Sequence, residues 1–107
     1  MTVIEILRRT RELLSDPRRW AKHTYRGFNT VYGVETYCLV GAMDQVSFNV
    51  ARPRQRAEMG AALLKTIEEQ YGKPGVVISL TSFNDRMTTS HDDVLLVLDK
   101  TISSLEA

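Results

Sequence analysis

The junction between Phe83 and Leu98 constrains the fold of this chain more than any other stretch. A polar, turn-prone segment, Phe83-Asn84-Asp85 through Thr88 to Ser90-His91-Asp92-Asp93, runs directly into a periodic apolar pattern. Ser90 is placed to cap a helix, and Asp92 and Asp93 fall in its first turn, where the backbone dipole favours negative charge. Val94, Leu95, Leu98, Ile102 and Leu105 then recur at helical spacing as a buried stripe. An apolar stripe needs elements to cover it, and the rest of the sequence supplies mostly helices. On this reading the polar segment launches the closing helix and aims it over the helix that carries the single thiol.

Thr2-Val3-Ile4-Glu5 has the form of a capping box, and behind it Val3, Ile6, Leu7, Thr10, Leu13 and Leu14 share one helical face, which predicts a helix over about residues 3–15. Asp16-Pro17 opens a short helical turn whose Trp20 folds back onto that helix. Residues 23–35 mix Gly27, Asn29 and Gly33 with Tyr25, Phe28 and Tyr32, the composition of an aromatic-studded loop with one short extended stretch. Thr36 is the expected cap of a helix from Tyr37 toward Val46. Gly41 and Ala42 within it cost helix propensity in return for the close approach of another backbone. Pro53 opens the longest helix, with Ala57, Gly60, Ala61, Leu64, Ile67 and Tyr71 on one face, and Gly72 and Pro74 end it. Val76-Val77-Ile78-Ser79-Leu80 is short and β-branched, and periodicity does not decide over residues 76–82 between a strand, which is favoured, and one or two buried helical turns.

With 107 residues, 43% apolar and 25% charged, the chain suits one ordinary globular domain. The expected fold class is mainly α, α+β at most: a compact bundle of about four helices with one small two-stranded element. Its core is Val3, Ile6, Leu7, Leu13, Leu14, Trp20, Leu39, Leu64, Ile67, Val94, Leu98 and Ile102. The N-terminus lacks the layout of a secretory signal, no run of apolar residues is long enough to span a membrane, and a lone cysteine forms no internal disulfide; a cytoplasmic location is expected.

The net charge of +1 is unevenly spread. Residues 1–26 carry seven Arg/Lys against three acids, and residues 75–107 carry two against five. If the two ends pack together the asymmetry is internal complementarity; if not, the basic end is free to meet an acidic partner. Arg8, Arg9, Arg11, Arg18 and Arg19 are candidate phosphate contacts, with Trp20, Tyr25 and Tyr32 available for stacking. A near-neutral charge balance and the lack of a recognised binding motif make a solvated face the simpler account.

Cys38 is the one candidate strong nucleophile. In the first turn of a helix, unpaired amides and the dipole favour the thiolate; between Tyr37 and Leu39-Val40, a small buried apolar group is the plainer role. His91 is its natural base and Asn84 or Asp85 the orienting group, by the cysteine–histidine–amide logic of thiol hydrolases. Trp20, Phe83, Asn84, Asp85 and His91 are the candidate lining of a ligand pocket, against a structural role for Asn84-Asp85 as a side-chain-to-backbone turn. His23 and His91 are far apart in sequence and no His-x-x-x-His pair exists, so neither a metal nor a cofactor is expected.

Taken in order, Asp16-Pro17-x-x-Trp20, Cys38-Leu39-x-Gly41-Ala42, Phe83-Asn84-Asp85 and His91-x-x-Val94-Leu95-x-x-Leu98-Asp99-x-x-Ile102 resemble the domain of unknown function 6197, a small family of bacteria and their viruses. The resemblance spans most of the chain and is weakest over 23–35 and 44–75. It implies a compact, mainly helical domain with no assigned activity, in which Asp16, Trp20, Cys38, Gly41, Asn84, Asp85 and His91 recur. The long Arg- and Ala-rich middle helix is a departure from that pattern. The functional expectation is a small accessory or binding domain, monomeric or homodimeric, that engages a protein partner or small ligand. A thiol-dependent hydrolase or transferase and a nucleic-acid binder are the alternatives.

Overall fold

A computed structural model describes residues 1–107. Helix α1 (Val3–Leu14) starts where Thr2 Oγ1 accepts from the Glu5 amide, as the capping box requires. A 3-10 turn, Pro17–Arg19, follows on the Asp16 cap. Strands β1 (Arg26–Asn29) and β2 (Val34–Tyr37) form an antiparallel hairpin in the segment expected to be mostly loop. Its tip closes because Asn29 Oδ1 accepts from the Val31 and Tyr32 amides, while Gly33 takes φ +65°, a conformation that costs glycine little.

Helix α2 (Leu39–Ser47) begins later than the sequence predicts. Thr36 and Tyr37 belong to β2, and the cap is Cys38 itself, whose sulfur accepts from the Gly41 amide at 3.3 Å. Val34 and Thr36 are β-branched and pair with β1, so the helix starts only where the strand ends. Gly41 does what its cost in helix propensity implied: a Cβ there would lie 1.9 Å from the Tyr25 carbonyl oxygen, so the hairpin backbone sits directly on the helix.

Helix α3 (Pro53–Tyr71) presents Met59, Leu63, Thr66 and Ile67 to the core; of the predicted face Ile67 is buried and Tyr71 partly so, whereas Ala57 and Ala61 are exposed and Gly60 and Leu64 are not in the core. Exposing alanine costs little, whereas Met59 and Leu63 bury far more apolar surface, so the larger side chains set the rotation. Thr66 is accepted inside because its hydroxyl donates to the Ala62 carbonyl and accepts from Thr101. The expected strand at 76–82 does not form: Val77 is exposed, Ile78 alone is buried, and Leu80–Asp85 is helix α4, capped reciprocally by Ser79 and Ser82. Helix α5 (His91–Glu106) starts at Ser90 as predicted, with Val94, Val97, Leu98, Thr101 and Ile102 inward. Leu105, expected in that stripe, is largely exposed.

The protein is therefore mainly helical, with five α-helices and one two-stranded sheet. α1 packs against α2, α3 and α5, α3 rests on α4 and α5, and α4 lies on α2. The closing helix thus covers chiefly α1 and α3; the helices resting on the thiol-bearing helix are α1 and α4. Sixteen buried residues make one core, including Ile6, Leu7, Leu14, Leu39, Ile67, Val94, Leu98 and Ile102 from the predicted set. Val3, Leu13 and Trp20 are only partly buried at its edge. No helix is long and apolar enough to cross a membrane.

Candidate functional site

The polar residues singled out in the sequence meet around Asn84, which is completely buried in the last turn of α4. Its Oδ1 accepts from Trp20 Nε1 at 2.7 Å and from the Leu39 amide at 3.0 Å, and its Nδ2 donates to the Ala21 carbonyl and to Asp85 Oδ1, each at 3.0 Å. Both donors and both acceptor positions of the amide are used. Trp20, placed by the 3-10 turn, therefore points at Asn84 and at His91, whose ring centroid lies 5.9 Å away. His91 Nε2 bonds the Leu14 carbonyl at 2.5 Å, closing the C-terminal end of α1. Phe83, the expected pocket floor, is fully buried core, with its ring 5.0 Å from that of Tyr71.

Cys38 lines a small cavity of 140 Å³ together with His23, Thr24, Tyr25, Thr81 and Asp85. Asp85 and Cys38 are thus brought together, Asn84 bonds the amide next to Cys38, and His91 is outside this cavity. The histidine that does line it is His23, which sequence reasoning did not select. Its backbone φ is +63°, and its amide donates to Asp85 Oδ1 at 2.8 Å, which holds the unusual conformation in place. Its ring Nδ1 lies 3.9 Å from Asp85 Oδ2. Burial alone pushes the Asp85 carboxyl up, but the His23 amide, the Asn84 side chain and the nearby charges of His23 and Lys22 together hold it below the usual range. The Cys38 sulfur is almost entirely covered. No group of three or more His, Cys, Asp and Glu side chains is arranged to hold a metal ion.

The N-terminal arginines are largely neutralised within the chain. Arg8 pairs with Glu106 at 2.8 Å and Arg11 with Asp99 at 2.9 Å, so the basic and acidic ends do pack together. Arg18 pairs with Asp16 at 2.7 Å and holds that carboxyl down to about 2. Arg9 and Arg19 make no ion pair.

The exposed aromatic side chains lie in two regions, the hairpin and the end of α2. Phe28 is 61% exposed on the outer face of β1, Val31 (82%) and Tyr32 cap the hairpin tip, and Phe48 is 75% exposed at the end of α2. Tyr25 bridges the two regions through its hydroxyl, which donates to Asp44, and this bond pushes the phenol up. Arg26 pairs with Glu35, Arg56 with Asp44, and the Arg18 guanidinium sits 5.3 Å from the centre of the Tyr32 ring. The aromatic residues of 23–35 were visible in the sequence; their joint exposure with Phe48 depends on the hairpin docking against Gly41.

A family model, described as a family of unknown function (DUF6197), matches residues 1–104. The chain belongs to DUF6197. No curated protein and no solved structure matches it. DUF6197 membership covers the whole fold from α1 to the last turn of α5, so hairpin, Asn84 centre and Cys38 cavity all lie within the matched domain.

Proposed function

We propose that this DUF6197 chain is a protein-binding accessory domain whose contact surface runs from the hairpin tip to the end of α2 and takes an acidic, partly apolar protein surface. The observation that carries this is the exposure of Phe28, Val31, Tyr32 and Phe48 on a molecule whose core is otherwise filled. Aromatic side chains interspersed with arginine are the composition of the energetic centres of protein interfaces. Arg52, beside Tyr25 and Phe48, makes no ion pair within the chain, which favours an acidic counterpart at that end of the surface. A nucleic acid is a poorer match, because Arg8, Arg11, Arg18, Arg26 and Arg56 already face carboxylates.

The test is affinity capture with three proteins: wild type, Phe28→Asp/Phe48→Asp, and Arg8→Gln/Arg11→Gln. The proposal expects a stoichiometric protein to be retained by the first and third and lost by the second. Retention by the second variant sinks it, as does a bound species that nuclease digestion releases.

A second reading, favoured by the cavity joining Cys38, His23 and Asp85, is a thiol-dependent hydrolase or transferase. In it the thiol proton passes to His23, oriented by Asp85, as sulfur adds to an acyl carbonyl and the π pair moves to oxygen; collapse then breaks the bond to the leaving group, which takes the proton from His23 and leaves a thioester that water or an acceptor cleaves. His91 is already committed to Leu14, which makes His23 the better base within this reading. Alkylation of Cys38 in the native protein, slowed by His23→Ala, is the expected signature; a thiol that reacts only after unfolding removes this reading.

A further inference from the structure

The rotation of α3 that buries Met59 and Leu63 leaves a stripe facing solvent: Arg54, Ala57, Glu58, Ala61, Lys65 and Glu68, all exposed. Spacings of four and three residues keep these on one side of the helix. None of the four charged members makes an ion pair within the chain, whereas Arg56 on the same helix pairs with Asp44. The charges read positive, negative, small residue, positive, negative, and they are balanced about Ala61. Turning the helix end for end about Ala61 superimposes each charge on one of opposite sign: Arg54 on Glu68, and Glu58 on Lys65 to within one residue.

We propose that a second copy of this chain docks antiparallel on α3, with a two-fold axis beside Ala61. Arg54 of each copy then faces Glu68 of the other, and Glu58 faces Lys65, while Ala57 and Ala61 allow the helices to approach closely. The same operation joins two apolar surfaces. A groove of 880 Å³ runs beside α3, lined by Met1, Val3, Ile4, Ala61 and Leu105 among others. A two-fold axis lying across α3 keeps the grooves of both copies on the same side of the helix pair, one on each side of Ala61, so the exposed Leu105 and Met1 of each copy lie against the C-terminal half of the partner's α3. A self-complementary patch of this kind is what a closed two-fold dimer requires. It also accounts for Leu105 continuing the apolar stripe of α5 beyond the residues that the core covers.

The experiment is sedimentation velocity across a concentration series. Wild type is expected to pass from the mass of one chain to that of two. Ala61→Arg sets like charges against each other at the axis and is expected to abolish the larger species. Arg54→Glu is expected to weaken self-association by about tenfold or more. Arg54→Glu/Glu68→Arg restores opposite charges across the axis and is expected to recover it. Glu58→Lys with Lys65→Glu makes the same comparison on the inner pair. All these positions are exposed, so helical circular dichroism should not change. A wild type that stays at one chain's mass throughout overturns the proposal. So does a double swap no better than the single one, or loss of the dimer on Phe28→Asp/Phe48→Asp, which would move the interface to the hairpin face.

Discussion

Asn84 ties together three chain segments that meet at no other shared side chain. Through it the indole of Trp20, the Ala21 carbonyl and the first amide of α2 all find partners, and no buried side-chain nitrogen or oxygen in the molecule is left unpaired. A leucine of similar size would fill the space and strand the Leu39 amide, the indole N–H and the Ala21 carbonyl in an apolar setting. Asn84→Leu is therefore expected to cost about 2–5 kcal/mol, measurable as a lower urea midpoint with unchanged slope. Loss near zero would mean that water replaces the amide. Gly41 makes a complementary case, since alanine there gains about 1 kcal/mol of helix propensity but drives a methyl into the Tyr25 carbonyl. Gly41→Ala should lower the melting temperature despite its propensity and loosen the hairpin, seen as faster amide exchange over residues 25–37. The value of Gly41 was readable from the sequence, because a glycine inside a helix pattern asks for a close neighbour. Asn84 read as a turn former, a pocket residue or an orienting group for a base, and not as a buried bridge, because partners 45 and 64 residues away leave no local trace.

Among the elements, α5 was legible because every local signal agreed: a Ser90 cap, acids in the first turn, and apolar spacing behind. Its cap also sets an acid limit on stability. Asp93 Oδ2 accepts from the Ser90 amide at 2.8 Å and its Oδ1 from the Tyr71 hydroxyl at 3.1 Å. The Ser90 amide first, and then the two hydroxyls, hold the Asp93 carboxyl below its ordinary value against the opposing effect of burial. The folded state thus binds this proton less readily than the unfolded chain, where the carboxyl titrates near about 4. The contribution to stability is complete above that pH and is lost as pH falls through the lower folded value. Asp93→Asn should be less stable than wild type at neutral pH, with a flatter fall on the acid side, in urea titrations from about pH 2 to 7. Where local signals conflicted, the sequence misled. Val76-Val77-Ile78 has strand chemistry but no neighbouring strand to pair with, whereas the Ser79 and Ser82 hydroxyls cap a helix without help. The face of α3 was misjudged because alanines count as apolar in a pattern yet contribute little when buried.

For the whole molecule, the charge gradient along the sequence closes on itself, because α1 and α5 pack side by side and bring Arg8 to Glu106 and Arg11 to Asp99. Both pairs are exposed, and such pairs contribute little to stability. Their larger effect is on what the surface presents: with these carboxylates in place, two of the cations on α1 are matched. Asp99→Asn/Glu106→Gln leaves the apolar core untouched and removes two negative charges, which makes the net charge more positive than +1. The melting temperature should fall by no more than about 8 °C, since the two exposed pairs are together worth under about 2 kcal/mol and each kcal/mol shifts it by about 4 °C in a domain of this size. Retention on a polyanion such as heparin should nevertheless rise, with elution at higher salt than wild type, because Arg8, Arg9 and Arg11 would then form an unmatched basic face. Equal elution of the two proteins would mean that these carboxylates do not mask the arginines, and the argument against nucleic-acid binding would lose its main physical support.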